Sequence, residues 1–156
     1  MRRVDAMLLA VPLAALLVTP EIALGRLIDT TLEEIVSRAP IILHGETRNS
    51  STPGRVPFVV KTVLKSPSPL GMKTVALCND AQDVEAYDLS KSIGEYIVFV
   101  QEDGKCFKPV YGIRSVFAIK DGIANTATLE HQPEHQPVPQ FERKIRKLIN
   151  NKSPRG

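Results

Sequence analysis

From Val56 to Lys65 the chain alternates. Phe58, Val60, Thr62 and Leu64 point to one side of an extended backbone, and Val59, Lys61, Val63 and Lys65 point to the other. A period of two, rich in β-branched and aromatic residues, specifies a strand. The second face carries Val59 and Val63 beside its lysines. That suits a strand buried on one side and partly covered on the other, as in a small barrel with a docked helix. Pro57 has no N–H to give to a ladder, so full pairing is expected from Phe58 onward.

The elements around this strand follow from local signals. Thr31-Leu32-Glu33-Glu34 is a capping-box pattern, and Leu32, Ile35 and Val36 fall at helical spacing, which predicts a short helix over 31–38. Ala39-Pro40 ends it, because a residue before proline is pushed out of the α region. Strands are expected over 41–46, 73–78, 96–101 and 106–111. A further hairpin spans 115–119 and 123–126 around Asp121-Gly122, and Asp103-Gly104 marks another tight turn. The stretch 79–93 has no clean period and reads as an acidic loop. Its carboxylates Asp80, Asp83, Glu85 and Asp88 lack the spacing and central glycine of a calcium loop.

After Leu129 the character changes. Glu130-His131-Gln132-Pro133 repeats at once as Glu134-His135-Gln136-Pro137, and Pro139 follows. Closely spaced prolines predict an extended linker over 127–140. Phe141, Ile145, Leu148 and Ile149 then recur at i, i+4, i+7 and i+8, which predicts an amphipathic helix. Arg143, Lys144, Arg146 and Lys147 lie off its apolar stripe, and the chain reads as frayed from Asn150 to Gly156. Residues 26–140 hold 12 basic and 14 acidic side chains, whereas 141–156 hold six basic and one acidic. The basic balance of the chain is therefore a property of this last segment.

The N-terminal 25 residues have a different character. Arg2 and Arg3 precede an apolar run from Ala6 to Val18 that Pro12 interrupts, and Ala23-Leu24-Gly25 supplies small residues at cleavage spacing. That is the pattern of a secretory signal peptide cleaved near Gly25, and the run is shorter than the roughly 20 residues that span a bilayer. The expected mature chain starts at Arg26, has no transmembrane segment and is periplasmic or secreted. In an exported chain the two cysteines, Cys78 and Cys106, read as one disulfide. Closing that 29-residue loop is worth about 3–4 kcal/mol by chain entropy. Asn49-Ser50-Ser51 and Asn151-Lys152-Ser153 match the acceptor pattern for N-glycosylation, which matters only in a eukaryotic source.

No pattern points to catalysis. His131, Glu134 and His135 have the letters of an inverted zinc-protease motif, but Pro133 would break the helix that motif needs. They are carried as weak metal-ligand candidates only. His44 reads as a strand histidine on a wet or half-buried face. There is no nucleophile elbow and no phosphate-cradling loop. Nucleic-acid binding is not expected, because the aromatics sit mostly at core-facing strand positions.

Five or six strands in about 100 residues with little helix predict a mainly β fold. The expectation is a small OB-like Greek-key barrel with a short N-terminal helix and a C-terminal amphipathic helix. Ile35 to Glu46, with its Ala39-Pro40 break, resembles the entry strand of netrin-module and tissue-inhibitor-of-metalloproteinase-like domains. Phe58 to Lys65 is similar to their second strand, and Ile93-Gly94-Glu95-Tyr96-Ile97-Val98-Phe99 to a later one; small bacterial secreted proteins share the pattern. The resemblance covers about residues 31–124 and implies an OB fold and a binding role. It does not bring the inhibitor mechanism, which needs an N-terminal cysteine. Here no cysteine precedes Cys78, and there are two where such modules usually have six.

The expected domain order is signal peptide 1–25, barrel 26–126, linker 127–140, and basic helix and tail 141–156. The expected function is a non-catalytic protein-interaction module of the cell envelope or extracellular space, without a cofactor. Phe141, Ile145 and Leu148 are its candidate apolar anchors and Arg143, Lys144 and Lys147 its charge partners, for a protein or an acidic surface. The alternatives are a periplasmic metal-binding protein using the His-containing linker, and a purely structural envelope domain.

Overall fold

Thr31 caps the first helix as its sequence implies: its Oγ1 accepts from the Glu34 N–H at 3.2 Å. Helix α1, Leu32–Arg38, buries Leu32, Ile35 and Val36, and Ala39 ends it in an extended conformation before Pro40. The chain then runs through β1 (Ile41–Thr47), β2 (Arg55–Lys65), β3 (Thr74–Cys78), β4 (Glu95–Asp103) and β5 (Cys106–Pro109). A 3-10 turn at Gly112–Ser115 leads to β6 (Val116–Lys120), β7 (Ile123–Asn125), β8 (His135–Pro137) and helix α2, Val138–Lys152. The computed structural model describes residues 30–79, 89 and 93–152. The expected signal peptide and the acidic carboxylates of 80–88 lie outside the described residues. No helix among the described residues is long and apolar enough to cross a membrane.

The first five strands close into a barrel in the order β1-β2-β3-β5-β4, with β4 returning to β1, and β6, β7 and β8 extend the sheet from β4. All pairings are antiparallel except β3 with β5. This is the OB-type order, and it bears out the expected fold class. The Cys78–Cys106 disulfide is formed, with Cα atoms 5.2 Å apart. It joins the end of β3 to the start of β5.

Two apolar layers follow from the alternation along β1 and β4. Ile41 and Leu43 of β1, with Tyr96, Val98 and Val100 of β4, fill the barrel beside Phe58, Leu77 and Phe107. Ile42, Ile97 and Phe99 face outward and are covered by Leu32, Ile35 and Val36 of α1 and by Phe141 and Ile145 of α2. These two strands are therefore buried on both faces.

Gly45 is required where β1 crosses β2 closely, since a Cβ there would lie 2.1 Å from the Val59 carbonyl oxygen. Register shifts between Ile42 and Leu43 and between His44 and Gly45 make the β1–β2 pairing skip Leu64 and Lys61. This corrects the strict alternation expected for β2. Leu64 does not share the barrel side with Phe58 but joins the helix-side layer, because bulged residues reset the facing of those that follow. Lys65 lies beside it and donates to the Val36 and Ala39 carbonyls at 2.8 and 2.6 Å, closing the C-terminal end of α1.

The expected linker over 127–140 is corrected as well. Its backbone is partly extended, but it is folded onto the domain. His135–Pro137 pairs with β7, Leu129 and Gln136 are buried, and Thr126 N–H donates to the Glu134 carbonyl at 2.8 Å. Pro137 sits on a sheet edge and Pro139 in the first turn of α2. Both are places where a missing N–H does little harm.

Candidate functional site

Helix α2 carries the segment where the chain's excess of positive charge is concentrated, and the fold fixes which way each side of it faces. Phe141 and Ile145 are fully buried, with Val138, Leu148 and Ile149 packed at the margin. The Phe141 ring meets Phe117 of β6 edge-on at 5.2 Å between centroids, and Phe117 meets Phe99 of β4 in the same way at 5.5 Å. Phe141 and Ile145 are thus corrected as candidate partner anchors. Their apolar area is already used within the domain, and Leu148 is half-covered at the edge of the same contact.

Polar pins hold both flanks of the helix. On one flank Lys144 Nζ donates to Gln132 Oε1 at 2.9 Å and to Gln136 Oε1 at 3.0 Å. Gln136, itself buried, donates to Thr126 Oγ1 at 3.1 Å. The glutamines of the two tandem repeats therefore converge on one lysine, a role the linker reading did not foresee. On the other flank Glu142 turns under the helix to His44 of β1. The His44 Nδ1 and Nε2 atoms lie 2.8 Å from carboxylate oxygens of Glu142 and of Glu95 on β4, respectively. The His44 side chain is 12% exposed and that of Glu142 21%.

Next to this imidazole, Lys61 of β2 bridges Glu95 at 2.9 Å and Glu46 at 2.5 Å, and Arg48 reaches Glu46 at 2.9 Å. The Lys61 hydrogen bond holds the Glu95 carboxyl below its ordinary range against a smaller opposing effect of burial, with His44 adding in the same direction. Lys61 likewise lowers Glu46, and the two carboxylates raise Lys61, Glu46 first. Elsewhere burial, and then a 2.9 Å hydrogen bond to Glu34, push the Tyr111 hydroxyl up.

The cluster has no geometry for a metal. Glu142 and Glu95 occupy opposite nitrogens of one ring, so they do not converge on a common point, and no group of three or more His, Cys, Asp or Glu among the described residues is placed to hold an ion. His131 lies in a turn with a positive φ of 57°, its side chain 82% exposed and 3.0 Å from Glu130. His135 is on β8 and Glu134 just before it, so the three candidate ligands share no helix face.

What α2 offers to solvent is its cationic side. Arg143, Lys144 and Lys147 are exposed and, with Gln140, line an open recess of about 250 Å³. Arg146 is exposed next to this side. Alternation already placed His44 on the same side of β1 as Ile42, and Glu142 is the one carboxylate in a segment of six bases. Neither signal brings the two together, because only the folded sheet carries α2 over β1. Compared with known proteins, the chain matches no family model, no curated protein and no solved structure.

Proposed function

We propose that this protein is an exported, non-catalytic interaction module that engages an acidic protein surface through the outer side of α2. The observation that carries the reading is the row of exposed cations, Arg143, Lys144 and Lys147, around a recess on a helix whose other side is fixed to the barrel. A docked helix presents its charges at set positions, so little conformational freedom is lost on binding. The single carboxylate in the segment is turned inward to His44, which leaves the outer side of one sign. Export is supported by the apolar N-terminal run and by the disulfide. The OB-type barrel is what the netrin-like resemblance implies, and such barrels serve binding roles, an analogy of fold alone.

The test uses the full chain and a defined acidic probe, poly-L-glutamate, with binding followed by anisotropy across a salt series. Arg143→Glu with Lys147→Glu is expected to weaken binding at least tenfold, with thermal stability unchanged because both residues are exposed. Affinity in the parent chain is expected to fall steeply with salt. Equal binding by parent and double variant, or no binding at low salt, overturns the proposal.

A further inference from the structure

We infer that His44 is a proton-operated latch that sets how firmly α2 is held, and through it how well the cationic side binds; this rests on the reading above. A carboxylate accepts hydrogen bonds and donates none. Both ring nitrogens of His44 lie 2.8 Å from carboxylate oxygens, and the two contacts are satisfied together only by a ring carrying two protons. Glu95 stays ionised because Lys61 also donates to it.

The groups that face the ring come from every element packed around it: Glu46 beside it on β1, Lys61 on β2, Glu95 on β4 and Glu142 on α2. With Arg48 counted, the three carboxylates are balanced by three cations only while His44 is charged. Loss of the ring proton leaves a net negative charge under α2. If Nδ1 keeps its hydrogen, the link to Glu142 drops from an ion pair to a hydrogen bond from a neutral donor, which loses the attraction between two opposite charges. If Nε2 keeps it, the link is lost and a lone pair faces Glu142. Either way the flank of α2 loosens when the ring gives up one of its two protons. The other flank is held by Lys144 on two neutral side chains, Gln132 and Gln136.

The direction of the functional effect follows. A loosened helix must give up conformational freedom on binding, and an unbalanced Glu142 repels an acidic partner, so affinity falls with rising pH. The experiment is a proton-carbon correlation NMR titration of the full chain from pH 5.5 to 8, with poly-L-glutamate affinity measured at both ends. The Ile145 methyl signal is expected to move together with the His44 ring signal, and the affinity to fall about tenfold, the size of one charged hydrogen bond. In Glu142→Gln the Ile145 signal stays in place across the same range and the affinity no longer depends on pH. Because the change from Glu142 to Gln keeps the side-chain shape at a position that is only partly buried, that variant is expected to fold, and an unchanged barrel methyl spectrum verifies it. An Ile145 signal that stays still while His44 titrates in the parent chain overturns the latch, as does a coupled shift that survives in Glu142→Gln. Failure of poly-L-glutamate to bind at either pH while the coupled shift is intact removes the proposed function and leaves the latch standing.

Discussion

The barrel is closed along two seams of very different construction. β1 and β4 meet through six consecutive residue pairs, from Ile41 opposite Val100 to Glu46 opposite Glu95. On their outer side Ile42, Ile97 and Phe99 lie under the two helices. β3 and β5 meet in parallel with one residue pair, Leu77 opposite Phe107, and the Cys78–Cys106 disulfide lies beside it. The contrast shows two ways to close one sheet. A long antiparallel ladder covered by a second apolar layer holds by burial and hydrogen bonding. A one-pair parallel seam supplies few hydrogen bonds, and a covalent bond lies beside it in their place.

The largest expected loss comes from opening the covered seam. Phe141→Ala empties the space against Phe117 and is expected to cost about 3–5 kcal/mol in chemical unfolding. A cost below about 1 kcal/mol would mean that α2 adds little to the outer layer. Next comes the stapled seam. Replacing both cysteines by serine is expected to cost about 2–4 kcal/mol, with the loss confined to β3 and β5 at low denaturant. If β1 and β4 lose protection equally, the two seams are not separable. The smallest effect comes from Lys61→Met at the edge of the covered seam. Lys61 lowers the Glu95 carboxyl, so the stability that this contact adds is present above the ordinary carboxylate range and lost as pH falls through the lowered folded value. Parent and variant should therefore differ slightly at neutral pH and converge in acid. A gap that widens in acid would reverse the sign.

These seams were unequally legible in the sequence. The continuous run Tyr96–Val100 announces a strand buried on both faces, and the Thr31 cap and the Asp121-Gly122 turn are local signals that the fold obeys, whereas at Asp103-Gly104 the turn falls one residue later, on Gly104 and Lys105, with Asp103 paired to Cys106. Asp121 and Gly122 both have positive φ, as a two-residue hairpin turn requires. The side taken by Leu64 was not legible, because a bulge is set by how β1 and β2 meet and not by β2 alone. β8 was hidden in a polar repeat only three residues long. Of the site, the cations of α2 were legible as a charge pattern. The His44–Glu142 pair, 98 residues apart in sequence, was not, since only the folded sheet brings α2 over β1.

The central claim is that α2 belongs to the fold and is not a tethered arm. Native-state hydrogen exchange at one pH tests it directly, by comparing amides in the middle of α2 with those of β4. If Phe141 and Ile145 hold the helix to the barrel, the α2 amides are protected to within about tenfold of the β4 amides. Amides of α2 that exchange orders of magnitude faster than β4, at rates near those of an isolated helix, would contradict the docking, and with it the fixed cationic side on which the proposed function stands.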